Sequence, residues 1–103
     1  MKLGIPYDAV MRFPKQYFVG LEINDGYLKT PAGMDLVTET TAHRKLPGQG
    51  EFDIKGFLAR LPSSNYTGPV GVEVLSRELR SWPLQKTAQT AYETTLAQFP
   101  NGY

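Results

Sequence analysis

Two stretches of this chain share one pattern: Val19-Gly20-Leu21-Glu22 and Val70-Gly71-Val72-Glu73, each an apolar strand with one carboxylate near its end. Side chains of an extended segment alternate between faces. Phe18, Gly20, Glu22 and Asn24 therefore fall on one side, and Val19, Leu21 and Ile23 on the other. In the second copy Gly71 and Glu73 oppose Val70, Val72 and Val74 in the same way. An ionised Glu inside an apolar strand is costly unless a partner, a metal or solvent at the strand end meets it. A Gly directly beneath each acid leaves room for something to approach.

What lies between the two stretches sets their relation. Residues 5 to 13 fit a short helix with Pro6 in its first turn and Ala9, Val10 and Phe13 on one stripe. The run from Tyr17 ends at the turn signal Asn24-Asp25-Gly26, giving a strand near 17–24. From Asn24 to Phe52 no period is sustained, and prolines and glycines punctuate a long loop of the kind that in a compact domain is functional or disordered. Asp53 then suits the N-cap of a helix near 53–61 with Ile54, Phe57, Leu58 and Leu61 on one face, stopped by Pro62. A turn at Asn65, Gly68 and Pro69 leads into a strand near 70–75. A last helix near 83–99 starts at Ser81 or Trp82 with Pro83 in its first turn. It carries Leu84, Ala88, Ala91, Tyr92, Thr95 and Phe99 on one face and ends at Pro100-Asn101-Gly102. Trp82, Tyr92 and Phe99 read as core or interface packing.

Helix, strand, loop, helix, strand, helix calls for parallel strands joined by a helical crossover, an α/β arrangement. Two strands alone make a poor sheet, and a complete eightfold βα barrel needs about 250 residues. The expectation is one domain, residues 1–103, forming about two βα units of a TIM-barrel-like fold. Its sheet is completed by oligomerisation, by a companion chain or by a missing N-terminal part.

Lys and Arg number 11 against 10 acids, a formal charge of +1. That balance argues against nonspecific binding to nucleic acid or an anionic membrane. There is no run of about eighteen apolar residues and no signal-peptide pattern, so a cytoplasmic protein is expected. The absence of cysteine removes disulfides, thiolate zinc sites and cysteine nucleophiles together. Any metal must be held by Glu, Asp, Asn, His43 or water.

Three segments resemble the C-terminal portion of the xylose isomerase-like TIM barrel family, in its sugar phosphate isomerase/epimerase group. Tyr17 to Gly26 is similar to the seventh barrel strand and its Asn-Asp ending. His43-Arg44-Lys45-Leu46-Pro47-Gly48-Gln49-Gly50-Glu51-Phe52-Asp53 resembles the Arg and Pro-Gly-x-Gly segment that leads into the seventh helix, and Tyr66 to Ser76 resembles the eighth strand. The resemblance implies a divalent-metal site (Mn, Mg, Co or Zn) at the C-terminal mouth of the barrel and a small sugar or sugar phosphate as ligand. It puts Glu73 on a glutamate that binds metal and moves a proton, and Arg44 on an arginine that grips a substrate oxygen or phosphate. Glu22 stands where many members carry a metal-binding histidine. The family's other two ligands lie on strands that precede this segment, so the chain is expected to be an incomplete, truncated member.

The residues themselves agree in kind. Isomerising an aldose or ketose removes a proton next to a carbonyl, which needs a base, an acid and a positive centre for the enediolate oxygen. Glu73 and Glu22 suit the first two roles or metal ligation, and Arg44 suits bidentate recognition of a phosphate. Each has a plainer reading as well: a strand-end salt bridge for Glu73, pairing with Arg12, Lys15 or Arg44 for Glu22, and a solvated loop arginine for Arg44. The lone His43 reads as a surface-loop residue, Asp25 as a turn residue, and Ser76 lacks the partners of a nucleophile. Gly48 and Gly50 lack the rest of a dinucleotide-binding pattern. Two other functions fit the same residues: a non-catalytic homo-oligomerising βα module and, less well given the charge, a metal-dependent abasic-site endonuclease.

Overall fold

Prolines mark where elements begin in the computed structural model, which describes residues 1–100. Pro6 caps α1 (Tyr7–Met11), Pro14 precedes a 3-10 turn at Lys15–Tyr17, and Pro83 caps α4 (Leu84–Leu96). In these places the missing N–H costs nothing, since the first turn of a helix leaves its amides without partners. Asp53 begins α3 (Ile54–Arg60) as expected, its Oδ1 accepting from the Gly56 N–H at 3.0 Å. α3 runs into a 3-10 turn at Leu61–Ser64 that closes on Asn65, whose φ of 57° is a left-handed conformation that asparagine tolerates. Of the expected final stop, Asn101 and Gly102 lie outside the described residues. No helix among the described residues is long and apolar enough to cross a membrane.

The two repeated segments pair as parallel strands, β1 (Leu21–Ile23) and β2 (Val70–Val72), with Leu21 opposite Val70, Glu22 opposite Gly71 and Ile23 opposite Val72. α3 lies in the crossover between them, as parallel pairing requires. Both strands are shorter than their apolar runs. β1 starts late because Pro14 has turned Lys15–Tyr17 into a 3-10 coil, and because Pro69 offers no N–H to pair before Val70. After Val72 the Glu73 N–H still donates to the Ile23 carbonyl at 3.3 Å. The chain then turns aside, Leu75 accepting from the Arg44 N–H at 3.0 Å and Ser76 bridging to His43.

The stretch from Asn24 to Phe52 is not an uninterrupted loop. It contains α2 (Leu36–Ala42), capped by Asp35, whose Oδ1 accepts from the Thr38 N–H at 2.9 Å. The segment Leu-Val-Thr-Glu-Thr-Thr-Ala has weak intrinsic preference for a helix and no apolar period, which hides it in the sequence.

The core lies on the Leu21 and Ile23 face of the sheet. Met11, Ile23, Ile54, Leu58 and Leu61 form its buried centre, with Phe52, Phe57, Tyr66, Val70 and Phe99 packed around them. The opposite face carries Glu22. α1 reaches the core through Met11 rather than through the expected stripe: the helix ends at Met11, so Phe13 leaves its helical phase and stands 61% exposed. α4 packs partly as expected, burying Thr95, while Leu84 (85% exposed) and Tyr92 (68%) face outward. Truncating the 1%-exposed Ile54 to Ala is expected to destabilise the fold by about 2–4 kcal/mol, read as a lower urea midpoint with an unchanged denaturant slope.

Candidate functional site at the strand ends

Glu22 is the middle residue of β1 and Glu73 directly follows β2, so the two lie near the C-terminal ends of adjacent parallel strands. Glu22 is in register with Gly71, and Glu73 follows two residues later, so strand alternation puts both on one face. Gly71 is the gap between them: a Cβ there would stand 3.4 Å from the Glu22 Cγ. Both acids are exposed, and among the described residues neither forms an ion pair with Arg12, Lys15 or Arg44. Solvent at the strand end therefore meets the carboxylates.

Asp25, read from the sequence as a turn residue, has a larger part. It is fully buried, and its carboxylate accepts three backbone N–H groups: Gly26 (2.8 Å) and Phe52 (3.0 Å) at Oδ1, and Gly48 (2.9 Å) at Oδ2. Its own backbone exchanges two hydrogen bonds with Lys45 at 2.9 Å. One side chain thus ties the end of β1 to both ends of the Pro-Gly-x-Gly loop. The glycines are required by this closeness. Gly48 has φ of 83°, and a Cβ on Gly50 would overlap the Asp25 Oδ1 and the Gly26 backbone. Asp25→Ala would leave several buried amides without acceptors and is expected to cost about 3 kcal/mol or more, measured by urea denaturation.

The same loop carries Arg44, and the structure contradicts its reading as a solvated loop arginine. Its side chain is 13% exposed and forms an ion pair of 3.6 Å with Glu39 of α2. Nη2 donates to the Thr40 Oγ1 at 3.1 Å, and the guanidinium lies 5.4 Å from the centre of the Phe52 ring. Glu39, which no sequence signal singled out, has no exposed surface. It pairs with Lys2 and accepts from the Thr30 hydroxyl at 2.6 Å. Burial pushes the Glu39 carboxyl up, but hydrogen bonds from Lys2 and Thr30 and the charges of Lys2 and Arg44 outweigh it and hold the pKa below the usual glutamate value. A carboxyl depressed by folding stabilises the native state above its unfolded pKa of about 4.3. That contribution is lost as the pH falls through the lower folded value. Acidification from about pH 6 to about pH 3 is accordingly expected to lower the melting temperature of the wild type more than that of Glu39→Gln, by calorimetry.

Glu22 and Arg44 line one cavity of about 380 Å³, together with Lys2, Asn24, Phe52 and the apolar Leu21 and Ile23. Residues from both faces of β1 contribute, so the cavity runs along the strand's unpaired edge. Glu73, on the neighbouring strand, is not among its lining residues. His43 ends α2, its N–H bonded to the Glu39 carbonyl at 3.0 Å. As a metal centre the set is partial. Two carboxylates are hard oxygen donors of the type that Mg and Mn take. Among the described residues, however, no three His, Asp or Glu side chains are grouped so as to hold an ion.

No protein-family model matches the chain. It is 40% identical over 55 residues to a 3-dehydroshikimate dehydratase of Pseudomonas aeruginosa, a stretch equal to 53% of this chain and 9% of that protein. A 3-dehydroshikimate dehydratase of Pseudomonas putida is 33% identical over 63 residues, 61% of this chain and 10% of that protein. The chain therefore spans about a tenth of these relatives. Among solved structures, a xylose isomerase-like TIM barrel/4-hydroxyphenylpyruvate dioxygenase fusion protein superposes on 95% of the chain with a TM-score of 0.80 and 26% identity, over 15% of its own length. The IolI protein, solved with a bound zinc atom, superposes on 99% with a TM-score of 0.79 and 22% identity, over 35% of its length.

Proposed function

Because this chain has the fold of a stretch of a xylose isomerase-like TIM barrel, we propose that it supplies two adjacent strand ends of a site that removes a proton beside the carbonyl of a sugar, sugar phosphate or related oxo acid. The observation that carries this reading is that Glu22 and Glu73 lie on one face, near the C-terminal ends of neighbouring parallel strands, the end at which barrel enzymes hold their reacting groups.

One carboxylate takes the proton, the C–H electron pair forms a C=C bond, and the carbonyl pair moves onto oxygen to give an enediolate. Return of a proton from the other carboxyl to the former carbonyl carbon, with the hydroxyl proton of the first carbon passing to the enediolate oxygen, isomerises the sugar, and return to the opposite side of that first carbon epimerises it. Expulsion of a hydroxyl from the next carbon as water is dehydration, the reaction in the name of the two Pseudomonas relatives, and begins with the same proton. Arg44 binds the oxyanion or a phosphate through its planar fork. In the alternative role Glu22 and Glu73 would hold a divalent metal together with donors from other strands, and that metal would supply positive charge for the developing oxyanion. In this reading residues 1–103 form one domain, the C-terminal part of a (β/α)8 barrel working in the cytoplasm. Further copies, a companion chain or a preceding N-terminal part complete the site.

A second reading, a non-catalytic βα module that associates with its own copies, is favoured by exposed apolar side chains such as Val19 (99%) and Leu84 (85%) beside a sheet of two strands. Calorimetric titration of Mn²⁺ and light scattering separate the two. Glu73→Gln is expected to weaken metal binding at least about tenfold while His43→Ala leaves it unchanged; equal effects would refute the site assignment. A monomer that takes up neither Mn nor Mg and leaves sugar phosphates unaltered would end the enzyme reading.

A further inference from the structure

The Arg44 guanidinium is confined on four sides. Glu39 Oε1 lies 3.6 Å from Nη1, Thr40 accepts from Nη2 at 3.1 Å, and the Phe52 ring flanks the group at 5.4 Å. On the fourth side Gly26 leaves free the space where a Cβ would stand 2.8 Å from Nη1. Glu39 is the anchor of this arrangement. It has no exposed surface, and Lys2 and Thr30 hold its other oxygen.

The enclosure is nevertheless incomplete. At 3.6 Å the Glu39 contact is an ion pair without a hydrogen bond, and among the described residues the buried Nη1 has no acceptor. The atom Nη1 faces is Glu39 Oε1, which likewise accepts no hydrogen bond, so the two charges hold each other in place. Arg44 also lines the 380 Å³ cavity that Glu22 and Asn24 share. An oxygen atom entering that cavity meets a guanidinium whose orientation is already set.

We propose that Glu39 is a positioning residue: by pairing with Nη1 it fixes the Arg44 guanidinium in the wall of the cavity along β1, in the orientation that receives an anionic oxygen of phosphate or carboxylate seated there. This rests on the reading of Arg44 as a substrate-binding residue. It adds that the side chain responsible for its geometry belongs to α2, a helix without a recognisable motif. Glu39 touches no ligand; it removes the rotamer freedom that a long cation would otherwise lose on binding.

The test uses the full 103-residue chain, inorganic phosphate as the probe and the ¹⁵N side-chain signals of Arg44. In the wild type, slow guanidinium rotation and a phosphate-dependent shift at Arg44 are expected. Glu39→Gln should release the rotation and weaken phosphate binding roughly three- to tenfold, the equivalent of ordering one long side chain. Should Glu39→Gln fail to fold, Gly26→Ala displaces the guanidinium from the opposite side without touching Glu39 and should weaken phosphate to a similar degree. Circular dichroism of each variant reports the fold separately. Rotation as slow in Glu39→Gln as in the wild type, or phosphate binding that is undiminished, overturns the positioning role. A rigid Arg44 in the wild type that shows no response to phosphate instead overturns the reading of Arg44 as an anion-binding residue.

Discussion

The buried carboxylate of Asp25 is the interaction on which the other parts depend. Three amides, from Gly26, Gly48 and Phe52, converge on its two oxygens. Without them the loop between β1 and α3 would have to find other acceptors for backbone donors removed from water. Because those donors come from both ends of the Pro-Gly-x-Gly turn, one residue at the tip of β1 decides where the loop crosses the sheet. Arg44 and Phe52 follow from that, and so does the start of α3. The carbonyl of Asp53 reaches forward in the same way, accepting from the Tyr7 hydroxyl at 3.0 Å and joining α1 to the base of α3.

Electrostatics divide the strand-end region into two unlike parts. Glu22 and Glu73 are exposed and rely on solvent. Glu39 is enclosed and relies on Lys2, Thr30 and Arg44. A buried ion cluster of this kind adds little net stability over an apolar one, but it is severely weakened by the loss of either sign. Its value lies in orientation, since a guanidinium against an aromatic ring and a carboxylate has few rotamers left.

Much of the arrangement was legible in the residues. Period-two alternation gave the two strands and the shared face of Glu22 and Glu73. Asp53 with Ile54, Phe57, Leu58 and Leu61 gave α3, and the strand–helix–strand order gave parallel pairing. The segments quoted for the barrel resemblance led to the fold that the solved structures share. What stayed hidden depended on contacts distant in sequence. α2 has neither apolar period nor strong propensity, and Glu39 looks like one more surface acid until Lys2 folds over it. Asp25 looked like turn punctuation because its partners Gly48 and Phe52 lie on the far side of a loop. Both strands are shorter than their apolar runs, which report burial and extension together: Pro69 offers β1 no N–H before Val70, and after Glu73 the chain pairs with His43 and Arg44 instead of continuing the sheet.

The cavity beside Arg44 is bounded by the open margin of β1, whose main-chain groups on that side have no strand neighbour in the two-stranded sheet. A further strand laid along that margin would narrow or wall in the cavity. Recruitment of another segment and capture of a small ligand therefore draw on the same few ångströms of surface. Were both to bind, each would alter the free energy of the other by the same amount and sign, and the ligand affinity would depend on whether that strand is in place.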